Sequence, residues 1–64
     1  ARIEFRKDKF ILIDQSTNGT YVYPVGQKML YLRRDEVLLE GRGFFSLGQE
    51  VPPDSPMAVH YMCL

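Results

Sequence analysis

The sequence is poor in the residues that small proteins use for covalent or metal cross-links, and its charges balance. It has one cysteine, Cys63, so no internal disulfide can form. One histidine, His60, and one cysteine are too few His and Cys ligands for a four-ligand zinc site within one chain. Eight Lys and Arg residues balance eight Asp and Glu residues. The chain therefore has no net positive charge that would attract it to nucleic acid or to an anionic membrane. We therefore expect a cytoplasmic domain without metal or cofactor.

The chain also lacks any long apolar run. The stretch from Phe10 to Ile13 is among its longest, far below the roughly 20 residues that a membrane-spanning helix needs. The chain begins at Ala1 with neither an initiator Met nor an apolar leader, which predicts a piece of a longer protein. Its 64 residues, 45% hydrophobic and 25% charged, suit one small globular domain. We expect a single domain over residues 1–64 and no membrane span.

Hydrophobic periodicity predicts strands throughout and no helix. Ile3 and Phe5 alternate with charged neighbours, and no window shows helical spacing. The expected strands cover residues 2–6, 10–13, 20–23, 28–32, 37–39, 44–47 and 57–64. The first two strands should form a hairpin around a polar break over residues 7–9, and residues 41–43 a tight hairpin loop between the fifth and sixth. Residues 49–56 form a Pro-rich loop, so the predicted fold class is an all-β antiparallel sandwich.

This sandwich should be incomplete. A seven-stranded sandwich usually needs about 100 residues, and the chain has 64. An unpaired sheet edge exposes backbone donors and acceptors, which favours pairing with another chain. We therefore expect a homodimer or a strand swap through an open edge.

The strongest turn signal lies at Ser16, Thr17, Asn18 and Gly19. Asn and Gly tolerate positive φ, and the two hydroxyls can bond nearby backbone, so turn chemistry alone predicts a tight turn. An Asn side chain at a loop tip also carries donors and an acceptor, with which Asn18 could clamp an extended peptide backbone. The loop itself has no Arg or Lys for a phosphate dianion.

Two stretches resemble the forkhead-associated (FHA) domain. From Asp14 to Val22 the sequence reads DQSTNGTYV, similar to the family's Asp-x-Ser-x-Asn-Gly-Thr followed by an aromatic residue and Val. The second stretch closes on Ser46-Leu47-Gly48, with Gly41-Arg42-Gly43 where the family usually has Gly-Asp. The resemblance covers residues 1–48, and residues 30–48 look most like FHA domains attached to bacterial adenylate or guanylate cyclases.

The resemblance implies an SMAD/FHA-like β-sandwich that binds phosphothreonine peptides. The chain would then be a non-enzymatic module of a cytoplasmic signalling protein, one that could regulate an attached nucleotide cyclase. The implied phosphopeptide contacts are Ser16, Thr17, Asn18 and Gly19. In the family, the Arg and Ser that hold the phosphate precede the stretch matching residues 1–6, and this sequence starts after them. The candidates for accessory anion contacts are Arg33, Arg34 and Arg42.

Two other functions stay open. A β-sheet interaction or dimerisation module that does not read phosphate would use the same strands. Nucleic-acid binding would use the aromatic side chains as a base-stacking platform, but without a basic groove core packing explains them better. Enzyme patterns fail on spacing, because Gly41-x-Gly43 does not fit a dinucleotide loop and Phe44-x-Ser46-x-Gly48 lacks the first Gly of a nucleophile elbow.

Overall fold

The computed structural model describes residues 1–63, which form seven β-strands in two antiparallel sheets. The strands are β1 (Arg2–Arg6), β2 (Lys9–Ile13), β3 (Thr20–Pro24), β4 (Leu30–Leu32), β5 (Glu36–Leu39), β6 (Arg42–Leu47) and β7 (Val59–Met62). The first sheet has the order β1-β2-β5 and the second β4-β3-β6-β7. The predicted all-β, antiparallel, sandwich-like fold is confirmed.

The β1–β2 hairpin is confirmed, with a tighter turn than predicted. Arg6 pairs with Lys9, so only Lys7 and Asp8 form the loop, and Lys9 begins β2 rather than lying in a polar break. Lys7 and Asp8 have φ values of 49° and 65°. Positive φ at both central residues defines a type I′ turn, whose twist suits a two-residue hairpin.

The predicted hairpin loop over residues 41–43 is wrong. β5 belongs to the first sheet and β6 to the second, so the chain crosses between the sheets at this point. Arg42 and Gly43 begin β6 and pair with Met62 and Tyr61 of β7. Glycine is required there because a Cβ on Gly43 would collide with the backbone carbonyl oxygen of Tyr23 and lie 2.9 Å from Pro24 Cα. Turn chemistry signals a change of direction, whereas the sheet that each strand joins depends on distant partners.

Two strands are shorter than predicted. β4 begins at Leu30 rather than at residue 28. β7 begins at Val59 because the backbone N–H of Ala58 donates to the Ser55 carbonyl at 3.1 Å and holds residue 57 in a turn. Leu64, predicted to end the last strand, lies outside the described residues. Residues 49–56 contain no strand, as predicted.

The hydrophobic core is small and lies between the two sheets. It consists of Leu12, Val22, Leu32, Leu39 and Phe45, none more than 6% exposed. Burying a side chain of this size stabilises the fold by roughly 1.5–3 kcal/mol, so a few contacts supply most of the stabilisation.

Most aromatic side chains lie outside this core, contrary to the core-packing prediction. Phe45 is buried, but on the outer face of the second sheet Tyr23 stacks on Phe44, with ring centroids 4.4 Å apart and planes 15° apart. On the same face, the ring of Tyr21 packs against the ring of Tyr31, with the ring centroids 4.9 Å apart. Side chains of a strand alternate between faces, so the register that buries Thr20 and Val22 of β3 turns Tyr21 and Tyr23 outward.

Candidate functional site

Asp14 organises the loop that follows β2. It is 1% exposed, and its carboxylate accepts hydrogen bonds at both oxygens. Oδ1 accepts from the hydroxyls of Ser16 and Thr20, each at 2.7 Å. Oδ2 accepts from the backbone N–H of Arg34 at 2.9 Å and of Ser16 at 3.3 Å. These bonds replace the water that a buried carboxylate loses, without which its burial would be costly.

The Asp14 carboxylate is held in its charged form. Burial raises its pKa, but the hydrogen bonds from Arg34, Ser16 and Thr20 outweigh that effect and lower the pKa below the usual value of 3.8. The groups that donate these bonds are neutral, so they stabilise the negative charge of the carboxylate but do not neutralise it. An anionic ligand is therefore disfavoured close to the base of the loop.

Ser16 and Gly19 build the loop from within. Ser16 Oγ donates to Asp14 and accepts from the Gly19 N–H at 2.9 Å. Gly19 has a φ of 86°, and a Cβ there would lie 2.5 Å from the Tyr31 ring. The Gly19 carbonyl accepts from the Gly48 N–H at 2.9 Å, which ties the loop to the end of β6. The hydroxyl and N–H groups of these two predicted contact residues are thus used inside the protein.

Thr17 and Asn18 present their side chains at the loop tip. Both are exposed, and the Asn18 backbone carbonyl accepts from the Tyr31 hydroxyl at 3.1 Å, which holds the tip in place. Asn18 also lines a depression of about 180 Å³, together with Ala1, Leu47 and Gly48. An amide in this position can both donate to and accept from an extended peptide backbone.

Arg33 and Arg34 lie at the same end of the sandwich as this loop. The bond from the Arg34 N–H to Asp14 holds the β4–β5 turn against the base of the loop. Arg34 has a φ of 54°, and both arginine side chains are exposed. The structure therefore brings two of the predicted cationic residues to the Asn18 end of the molecule.

Arg42 lies at the opposite end. It starts β6, whereas Leu47, at the end of that strand, pairs with Thr20 beside the loop. At ~3.3 Å per strand residue, the distance between these ends of β6 is roughly 17 Å. Arg42 and the Asn18 loop are therefore too far apart to hold one phosphate group.

Two contacts of the site were not predicted from the sequence. An Asp followed two residues later by Ser at a strand end is a signal for a side chain that bonds its own loop, so the Asp14–Ser16 contact could have been found. The bond from Arg34 to Asp14 joins residues 20 apart, and no local pattern marks it.

Comparison of the chain with protein families, with curated proteins and with solved structures finds no match. Over residues 1–63, no helix is long and apolar enough to cross a membrane. In the same part of the chain, no three His, Cys, Asp or Glu side chains are grouped so that they could hold a metal ion.

Proposed function

We propose that this chain is a phosphothreonine-peptide recognition module of a cytoplasmic signalling protein, such as one carrying a nucleotide cyclase. The observation that supports it best is that Asp14 holds the Asn18 loop and the Arg33–Arg34 turn together at one end of the sandwich. An exposed amide and two exposed arginines at one end of a domain have the chemistry to bind a peptide backbone and its phosphate. The module binds its ligand and catalyses no reaction.

In this proposal the two ligand groups are bound by different parts of the site. The Asn18 amide bonds the peptide backbone, and Arg33 and Arg34 bind the phosphate, each charge-assisted bond contributing roughly 1.5–3 kcal/mol. The N–H groups of Ser16 and Gly19 already bond inside the loop and are not available to the phosphate. The charge of Asp14 disfavours a phosphate at the base of the loop, so the phosphate binds at the exposed arginine side chains.

Titration with phosphothreonine peptides and their unphosphorylated counterparts, read by fluorescence anisotropy, tests the proposal. Asn18→Ala should weaken phosphopeptide binding by about 1–3 kcal/mol, or about 5- to 150-fold in Kd. The double substitution Arg33→Gln with Arg34→Gln should abolish the preference for the phosphorylated peptide. Arg42→Gln removes the same charge at the far end and is the matched control, so it should leave both peptides' affinities unchanged.

Two outcomes would contradict this function. If phosphorylated and unphosphorylated peptides bound equally, or neither bound, phosphothreonine recognition would be excluded for this chain. If Asn18→Ala lowered the free energy of unfolding as much as the binding free energy, Asn18 would be a turn-forming residue only.

A second candidate function is a β-sheet interaction module that does not read phosphate. It is favoured by apolar side chains that face the inside of the sandwich and are nevertheless exposed, such as Ile3 at 48% and Phe5 at 62%. Such a module would bind its partner with the same affinity after substitution of Arg33 and Arg34. The peptide titration therefore separates the two functions.

A further inference from the structure

The two sides of the sandwich differ in how far their inward-pointing side chains are covered. On the side of β4 and β5, Leu30, 38% exposed, and the half-buried Val37 line one small cavity. The opposite side is formed by the edge strands β1 and β7. In the first sheet, Ile3 of β1 pairs with Leu12 and Phe5 pairs with Phe10. All four side chains lie on the inner face of that sheet, because directly paired residues point to the same side. Leu12 is fully buried, but Ile3 is 48% exposed and Phe5 62%.

The inner face of the second sheet is exposed on the same side. Phe45 and Val59 are neighbours in one cross-strand row, yet Phe45 is 6% exposed and Val59 47%. Leu47, two residues along β6 on the same face, is 50% exposed. We use the term open face for the exposed apolar side chains that point inward on this side, namely Ile3, Phe5, Phe10, Leu47 and Val59. Exposed apolar side chains on the inner faces of two sheets are typical of an interaction site.

β1 can accept another strand at its outer edge. Within residues 1–63 it pairs with β2 alone, so backbone groups on its other side are available for pairing. Its outward face carries Arg2, Glu4 and Arg6, with the Glu4 carboxylate 2.9 Å from Arg2 Nε and 2.8 Å from Arg6 Nε. Opposite charges directly across two strands stabilise their pairing, and like charges destabilise it. The alternating charges therefore restrict how β1 can pair with a copy of itself.

Three symmetric antiparallel registers pair three or more residues of each β1 strand with the other copy. Centring on Glu4 places the two Glu4 carboxylates opposite each other and Arg2 opposite Arg6 of the second copy, so like charges meet throughout. Centring on Ile3 pairs Arg2 with Glu4 but leaves Phe5 opposite the small side chain of Ala1. Centring on Phe5 pairs each Glu4 with the other copy's Arg6 and places the two Phe5 rings together. This register satisfies the charges and covers the most exposed side chain of the open face.

We propose that a second copy of this chain covers the open face, joined through β1 in the Phe5-centred register. The two three-stranded sheets then form one continuous sheet, with the inner faces of both copies on the same side. The Phe5 side chains of the two copies meet at the two-fold axis, and Phe10 of each copy, whose ring centroid is 4.9 Å from that of Phe5, extends this row of aromatic rings on either side. The dimer does not depend on phosphothreonine recognition, and it gives the second candidate function a defined surface.

Sedimentation velocity of the whole chain from micromolar to millimolar concentration tests the dimer. The unchanged chain should show a concentration-dependent monomer–dimer equilibrium, and Phe5→Lys should be monomeric throughout. Leu38→Lys is the matched control, since Leu38 is 40% exposed on the outer face of β5 and should not affect dimerisation. Circular dichroism should show that both variants are folded, which is expected because both positions are exposed.

Charge variants test the register. Glu4→Arg and Arg6→Glu each place two like-charged pairs across the interface, so each alone should weaken dimerisation about tenfold or more. In an equimolar mixture of the two variants, the Phe5-centred register restores opposite charges at both positions. The mixture should therefore form a heterodimer about as tight as the unchanged homodimer, whereas the Ile3-centred register would leave Arg2 facing an introduced positive charge.

Three results would overturn this inference. The folded chain could remain monomeric at every concentration, Phe5→Lys could leave a dimer intact, or the mixed charge variants could fail to associate. Asn18→Ala separates this test from the test of the proposed function, because the dimer should form normally in that variant even where phosphopeptide binding is lost.

Discussion

At the scale of single residues, Asp14 links the candidate site to the stability of the fold. Its carboxylate joins the end of β2, the start of β3 and the turn between β4 and β5 through bonds to Ser16, Thr20 and Arg34. Because these bonds are made to the ionised form, the loop geometry depends on the charge of Asp14. This buried contact helps to hold the exposed residues of the site, Thr17 and Asn18, together with the bond from the Tyr31 hydroxyl to the Asn18 carbonyl.

Asp14→Asn should lower the free energy of unfolding at neutral pH by about 1–3 kcal/mol, because a neutral amide replaces the charged acceptor and its NH₂ group cannot accept the two bonds that one carboxylate oxygen accepts. The pKa of Asp14 is lowered in the folded state, so its stabilisation is complete above the usual value of 3.8. It is lost as the pH falls below that value through the lower, folded pKa. Urea unfolding measured from neutral pH down to about pH 2 should therefore show a steeper acid loss for the unchanged chain than for the variant.

The matched control for this measurement is Asp8→Asn. Asp8 is exposed in the β1–β2 turn, and Asn tolerates its φ of 65°. This variant should keep the acid dependence of the unchanged chain. Asp14→Asn with an equally steep acid loss would show that other carboxylates cause it.

At the scale of elements, a strand's local pairing was easier to predict than the sheet it joins. The β1–β2 hairpin follows from alternation and a polar turn, both of which involve neighbours in the sequence. The β5–β6 connection looks equally local, yet β5 pairs with β2 and β6 with β3. Each of these pairings joins strands that are far apart in the sequence, so no short window of sequence predicts it.

The β1–β2 turn can be stabilised by substitution. Lys7 and Asp8 both adopt positive φ, which a type I′ turn satisfies best with Asn-Gly. Lys7→Asn with Asp8→Gly should raise the free energy of unfolding by about 1 kcal/mol in urea titration, since it relieves left-handed strain at two positions. Lys28→Asn, at an exposed residue without positive φ, should change nothing. A loss of stability in the Asn-Gly variant would show that the Lys7 and Asp8 side chains make stabilising contacts of their own.

At the scale of the whole molecule, the size of the core limits stability. Leu12 is fully buried at its centre. Removing such a side chain costs about 2–5 kcal/mol, and a domain of this size rarely has more than about 3–5 kcal/mol in total. Leu12→Ala should therefore be largely unfolded at room temperature by circular dichroism and amide exchange. Leu38→Ala, the same change at an exposed position, should unfold at nearly the urea concentration of the unchanged chain.

A Leu12→Ala variant that still unfolded cooperatively near the unchanged midpoint would contradict this view of the core. It would mean that stability comes from elsewhere, and association through β1 is one source that raises stability with protein concentration. Repeating the unfolding at two protein concentrations distinguishes a stable monomer from a stabilised dimer.

Local signals in the sequence were enough to establish the all-β class, the first hairpin and the loop from Ser16 to Gly19. Alternation, turn propensity and charge balance act between residues close in the chain, and a sequence displays them directly. The folded structure was needed for everything that depends on distant pairings. It separated Arg42 from the site, brought Arg34 to Asp14, and left Phe5 exposed on an inner face, because the register and the sheet order decide which remote residues meet.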